Sequence, residues 1–242
     1  MFSILSRRWL RSARRLLAWR PRRPTSLTDL WRLQPVSPVF GFDRKGTCID
    51  RYYIERFLST NASDIHGRTL EIADNTYTVK FGGCLVTRSD VLHIVEGNPK
   101  ATIVADLTCT DCIPTSTFDC IILTQTLQFI YDVPSAIRTL YRILKPGGVL
   151  LATASGISQI SRYDMDRWGE FWRFTPLSAK RLFQEAFPEE GLSVESYGNV
   201  LVAVAFLHGL AAEDLRSHEL AYYDQDYPVI ITVRAQKPDT TP

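Results

Sequence analysis

Short apolar runs recur along the chain between polar breaks, at residues 69–72, 84–86, 101–105, 119–123, 148–154, 192–197 and 229–233. Runs of this length bounded by turn-forming residues predict strands. Between the later runs the apolar positions take a helical spacing, over 134–144 and 177–187. An earlier helix is predicted over 50–65, with Asp50 as N-cap, Tyr53, Phe57 and Leu58 on one face, and His66-Gly67 ending it. Short continuous apolar strands alternating with helices predict an α/β fold, a mostly parallel sheet covered on both faces.

In such a sheet the ligand lies beyond the carboxyl ends of the strands. Three successive runs carry acids there: Glu71 near the end of the first, Asp90 after the second and Asp106 after the third. An acid closing the second strand, roughly 20 residues past the first turn, is placed to accept hydrogen bonds from ribose hydroxyls. The first turn itself, Ala73-Asp74-Asn75-Thr76-Tyr77, holds no glycine. Nucleotide-binding turns are glycine-rich because the backbone approaches the ligand closely and adopts dihedrals a side chain resists.

A chain of 242 residues, 45% hydrophobic, is long enough for one large α/β core with short extensions. Five cysteines, an odd number without a dense framework, fit a reduced, cytoplasmic compartment. Cys109-Thr-Asp-Cys112 has no second CxxC or His pair, so two loop or core thiols are expected and no metal site. The longest apolar stretch, 200–207, falls far short of the ~20 residues that cross a bilayer.

Charge is uneven. Residues 1–23 carry eight arginines and no acid, while the remainder has 20 basic against 26 acidic side chains. The acidic body makes nucleic acid an unsuitable partner. In the arm, Phe2, Leu5, Trp9, Leu10, Ala13, Leu16, Leu17 and Trp19 share one half of a helix and Arg7, Arg8, Arg11, Arg14 and Arg15 the other, with Ile4 and Arg20 breaking the pattern. Residues 1–23 therefore read as a basic amphipathic arm for an anionic membrane surface, as an organellar targeting peptide, or as a plain basic tail preceding the true start. The first reading gives a cytoplasmic protein with peripheral membrane association. Residues 24–49 read as a linker wrapping onto the domain, 50–236 as the domain and 237–242 as a disordered tail.

The run Phe118-Asp119-Cys-Ile-Ile-Leu-Thr-Gln-Thr-Leu-Gln-Phe-Ile130 resembles the fourth strand and following turn of class I S-adenosylmethionine-dependent methyltransferases. Leu140-Tyr-Arg-Ile-Leu-Lys-Pro-Gly-Gly-Val-Leu-Leu151 resembles their helix, Lys-Pro-Gly-Gly turn and fifth strand. Trp172-Arg-Phe-Thr-Pro176 is similar to a segment of the type 11 branch, often seen beside enzymes of cell-surface glycan synthesis. The resemblance spans about residues 50–236 and implies a Rossmann-like seven-stranded sheet, with a helix over 200–215 and an antiparallel last strand. It implies S-adenosylmethionine as cofactor. Glu71 would begin the cofactor loop, with Ala73 and Asn75 at glycine positions of the Glu-x-Gly-x-Gly-x-Gly pattern. Asp90 would hold the ribose, Asp106 the adenine amino group beside the Leu107 backbone, and Thr124 and Gln125 would line the methionine end. Tyr77 stands where the last glycine packs, and Asn75 is the residue expected to take a left-handed backbone.

Acceptor contacts are implied within 158–175, with Tyr163, Asp164 and Arg173 as candidates beside Asp166, Trp168 and Trp172. Arg51, Tyr52 and Tyr53 are candidates for the cofactor carboxylate or for packing, and His93 and His208 for bases or structure. The expected activity is methyl transfer to a small-molecule or glycan acceptor. A non-catalytic binding or scaffold protein of the same fold is the alternative. A nicotinamide-dependent oxidoreductase is opposed by the Lys145-Pro-Gly-Gly turn and the missing phosphate glycines.

Overall fold

The computed structural model describes residues 32–109 and 111–239; the predicted arm lies outside them. Seven strands, β1 (Gly67–Ile72), β2 (Val86–His93), β3 (Ile103–Val104), β4 (Phe118–Thr124), β5 (Leu144–Ser155), β6 (Leu192–Tyr197) and β7 (Ile230–Gln236), form one sheet ordered β3-β2-β1-β4-β5-β7-β6. All neighbours are parallel except at β7, which runs antiparallel to both β5 and β6. The strand order reverses between β1 and β4, which creates the crevice where such sheets bind ligands.

Among the described residues six helices surround the sheet: α1 (Ile49–Thr60), α2 (Val133–Ile143), α3 (Arg162–Trp168), α4 (Pro176–Gln184), α5 (Val200–Leu207) and α6 (Ser217–Ala221). Alternation along β4 sorts two of the cores. Ile121 and Leu123 pack with Ile137 and Leu140 of α2 and Phe183 of α4, while Cys120 and Ile122 pack with Ile54, Phe57 and Leu58 of α1. Period-two strands thus bury both faces, and the seven-stranded Rossmann-like fold expected from the sequence is the one observed. Helix starts follow local chemistry. Asp132 accepts from Ser135 N ahead of Pro134 in α2, Thr175 accepts from Ser178 N ahead of Pro176 in α4, and Asn199 accepts from Val202 N at α5.

The structure corrects several boundaries. Cys84 and Leu85 lie in a turn, and β2 runs from Val86 to His93, so Asp90 lies inside the strand opposite Leu70 rather than at its end. Helix α1 begins after Cys48, which has no side-chain cap, and Asp50 lies in its first turn. The helix predicted over 200–215 stops at Leu207. Residues 237–239 are ordered along the sheet's end, where Lys237 exchanges backbone bonds with Gly147 and Gly148.

The motifs that carried the resemblance do structural work at the opposite end of the strands from the crevice. Asp119, opening β4, receives Lys145 Nζ at 2.8 Å and Arg68 N at 2.7 Å. A Cβ on Gly148 would come within 2.9 Å of the Lys145 carbonyl and 3.1 Å of Phe118 O, so only glycine lets β5 pass there. The Phe-Asp and Lys-Pro-Gly-Gly segments thus clamp β4 and β5 in register.

Residues 36–48 run as a strap over the domain. Val36 N and Ser37 N donate to His208 O, Arg44 pairs with Asp214 at 2.8 Å, Thr47 N donates to Glu213, and Cys48 bridges Ala211. Gln159 Nε2 donates to Pro38 O at 3.0 Å, tying the strap to the loop after β5.

Candidate active site

A cavity of about 700 Å³ opens beyond the carboxyl ends of β1, β2, β4 and β5, roofed by the strap and by α3. Its size suits a cofactor-sized ligand.

The β1 turn is built around Glu71. This residue is 3% exposed, and its carboxylate accepts from Tyr77 N at 3.1 Å and Thr78 N at 2.7 Å. Burial raises its pKa and these backbone bonds oppose the rise. The side chain therefore caps the turn that follows it. Ala73, not Asn75, takes the left-handed backbone, with φ 68°. That geometry is pinned by Ala73 N donating to Leu92 O at 2.9 Å and by Asn98 Nδ2 donating to Ala73 O at 2.7 Å. Alanine is the smallest side chain that can replace glycine, so the backbone still presents itself to the cavity. Asn75 turns away to Ser89 Oγ and lies outside the cavity lining. Tyr77 lines the cavity wall with its ring against Phe81, and burial pushes its hydroxyl up to about 12. The bulky residue thus stands beside the cavity and does not fill it.

Asp90 is not in the cavity. It is 1% exposed, held by Arg68 at 2.7 Å, Arg88 at 3.1 Å and Thr102 Oγ1 at 3.0 Å. Burial raises its carboxyl, but these donors outweigh it and hold the pKa below the ordinary range. The end of β2 presents His93 and Ile94 instead. His93 Nδ1 contacts Val95 O at 2.7 Å and its ring meets Trp168 edge-on at 6.0 Å.

Asp106 and Leu107 line the cavity as expected, with Asp106 Oδ1 accepting from Thr108 N and Oγ1 at 2.8 Å each. Cys109 and Cys112 follow as exposed thiols with sulfurs 2.8 Å apart. Thr124 and Gln125 also line it. Gln125 is left-handed, φ 47°, fixed by its N–H to Thr153 O. Its Oε1 accepts from Ser155 Oγ at 2.5 Å and Gln128 Nε2 at 3.0 Å, forming a polar floor across β4 and β5.

In the 158–175 segment, Tyr163 and Asp164 of α3 line the cavity and Arg173 does not. Tyr163 is stacked by the Arg167 guanidinium at 3.6 Å, and Asp164 accepts from Ser161 Oγ. Arg173 instead pairs with Glu170 at 2.7 Å and donates to the carbonyls of Ser158, Gln159 and Trp172, so it braces the lid. His208 lies outside the lining, as do Tyr52 and Tyr53; Arg51 is in it, its guanidinium 5.3 Å from the Phe42 ring centre.

Sequence reasoning missed Asp50 as a cavity group, together with Pro38, Val39, Phe40, Phe42, Glu170 and Phe206. Asp50 accepts from Arg51 N at 2.7 Å; enclosed by the cavity walls, its carboxyl is raised by burial. No local motif announces these residues, because the strap and α5 meet only through the tertiary fold.

Residues 82–152 match the family described as "Methyltransferase domain", a segment that begins after the β1 turn. No protein of curated function matches the chain in sequence. Among solved structures the chain is similar to a SAM dependent methyltransferase from Archaeoglobus fulgidus, at 11% identity over 77% of this chain and 94% of that one, TM-score 0.51. It is also similar to the cyclase SpnF, at 16% identity over 80% of this chain and 83% of that one, TM-score 0.50. At these identities the likeness is one of fold. The class I methyltransferase resemblance read from the sequence is thereby supported in fold and in the matched segment, and the chain's likeness to a cyclase fits a fold that hosts more than one chemistry.

Proposed function

We propose that the protein is an S-adenosylmethionine-dependent methyltransferase acting on a small-molecule or glycan acceptor. The observation that carries the reading is the backbone at Ala73: the left-handed geometry that the family's glycine supplies is kept at the mouth of the strand-end crevice, without the glycine. The residues present fit the cofactor, with Arg51 for the methionine carboxylate, Glu71 for its amine, Asp106 with the Leu107 backbone for adenine, and Thr124 and Gln125 for the methionine end. His93 replaces Asp90 at the ribose. In the tautomer that donates Nδ1–H to Val95 O, the shorter of the ring's two Val95 contacts, Nε2 is the acceptor a ribose hydroxyl requires. The carboxylate-rich walls suit a sulfonium cation.

The bound cofactor supplies an electrophilic methyl group. The chain's own contribution is chiefly positioning, worth roughly 7–11 kcal/mol at best. The Gln125–Ser155–Gln128 floor and the 158–170 lid hold the acceptor and exclude water. For a hydroxyl acceptor, Asp50 is the cavity carboxylate suited to take the proton, since desolvation by the cavity walls raises its pKa above the ordinary carboxylate value. Tyr163 and Asp164 flank the entry. Residues 1–23 would hold the protein at an anionic membrane surface; among the described residues no helix is long and apolar enough to cross one.

Isothermal calorimetry with S-adenosylmethionine and S-adenosylhomocysteine tests the reading. Micromolar binding of both is expected, and silence with both would leave the non-catalytic scaffold as the better account.

A further inference from the structure

The cavity extends past the strand ends under the strap, where the cofactor residues stop. We propose that Val39, Phe40 and Phe42 of the strap, with Ile54 of α1 and Phe206 of α5, form an acceptor subsite for an uncharged, apolar group. The word acceptor rests on the methyltransferase reading; the subsite itself does not.

The strap is shaped to make this wall. Phe40 and Gly41 are both left-handed, φ 59° and 87°, and Gly41 N donates to Ser37 Oγ at 3.0 Å. A Cβ on Gly41 would lie 3.0 Å from Gly209 O, so the turn is pressed against the end of α5. This strained pair sets the Phe40 ring 5.8 Å from Phe206. A bulky residue at positive φ persists only where the surroundings hold it, and such positions gather at binding sites. Val39 and Phe42 line the cavity yet remain 41% exposed each among the described residues, Phe42 with only the Arg51 guanidinium against its ring.

The charges decide the class of ligand. Among the described residues six carboxylates line the cavity, Asp50, Glu71, Asp74, Asp106, Asp164 and Glu170, against two guanidiniums, Arg51 and Arg162. Arg162 is paired with Asp166 at 2.8 Å, and Arg51 lies over Phe42 and toward the cofactor. A phosphorylated or carboxylated acceptor would meet net repulsion, and the one fork of donors beside this wall, Arg51, is assigned to the cofactor's carboxylate. Each carboxylate already accepts a hydrogen bond from the protein, and of the six only Asp50 belongs to the helix that carries Ile54, so the strap side offers an amine little pairing. An uncharged apolar group is what the wall accommodates without an unpaired charge.

The test uses the full chain and N-phenyl-1-naphthylamine, an uncharged fluorophore that brightens in apolar surroundings, with and without S-adenosylhomocysteine. One saturable site is expected, retained when S-adenosylhomocysteine is present. Decan-1-ol should displace the probe at least tenfold more effectively than decyl phosphate or decylamine. Val39→Glu and Phe42→Glu, both at exposed positions, should each weaken probe binding tenfold or more with melting temperature unchanged, and Val39→Glu, away from Arg51, should also leave S-adenosylhomocysteine affinity unchanged. The proposal is overturned by absence of a saturable site, by exclusion of the probe by S-adenosylhomocysteine, by equal or better displacement with either charged analogue, or by unaltered binding in both variants. Expected probe behaviour without any S-adenosylhomocysteine binding would remove the cofactor reading and leave the apolar subsite standing.

Discussion

Replacing Ala73 by glycine should stabilise the protein, although glycine usually does the reverse. Ala73 is held at φ 68°, and its methyl group is exposed, so its removal forfeits no packing. A left-handed L-residue carries about 1–2 kcal/mol of strain. Against that relief, glycine frees the unfolded chain and returns about 0.4–1 kcal/mol. The difference favours Ala73→Gly by about 0.5–1 kcal/mol, a rise of about 1–4 °C in a chain of this length. The bonds from Ala73 N to Leu92 O and from Asn98 to Ala73 O hold the turn whichever residue is present. Asn75→Gly is the control. Asn75 is not left-handed and bonds Ser89 at 3.3 Å, so its replacement should lower stability by about 1 kcal/mol. Differential scanning calorimetry of the three proteins, ligand-free in one buffer, reads both shifts. A melting temperature for Ala73→Gly at or below the parent, or shifts of the same sign in both variants, would refute the argument.

Asp90→Asn should destabilise the fold by about 1–3 kcal/mol, less than a fully buried pair, because Arg68 and Arg88 keep 29% and 61% exposure. Calorimetric S-adenosylhomocysteine affinity should stay within about twofold, since Asp90 lies outside the cavity; a tenfold loss in the folded variant would return Asp90 to the ribose. At Asp119 burial raises the carboxyl, but Lys145 and Arg68 N outweigh it and the folded pKa is lowered. Its contribution is therefore present above the unfolded value of about 3.9 and is lost as pH falls through the folded one. The gap in urea midpoint between the parent and Asp119→Asn should shrink from pH 7 to pH 3, and a constant gap would count against the clamp. Deleting residues 1–23, with their eight arginines, should abolish co-sedimentation with phosphatidylserine vesicles at low salt, and equal partitioning of both proteins would reject surface attachment.

The local pattern determined the sheet, its alternating burial and the helices that cover it, because strand and helix periods and turn residues are written in adjacent positions. It also marked Glu71 and Asp106, which stand near strand ends that can be read, and the family resemblance added Leu107, Thr124 and Gln125. Asp90 misled because nothing local says that β2 continues three residues further to His93; pairing with β1 sets that end. Ala73 rather than Asn75 took the left-handed turn for a similar reason, since bonds from Leu92 and Asn98, distant in sequence, pin it. The cavity's other wall was decided by tertiary structure alone. Val39, Phe40 and Asp50 reach the crevice only because the strap is tied to residues 208–214, about 170 positions away, as in the Arg44–Asp214 pair. Sequence by itself settles what neighbouring residues impose on one another, and the site required contacts that exist only once the chain has closed on itself.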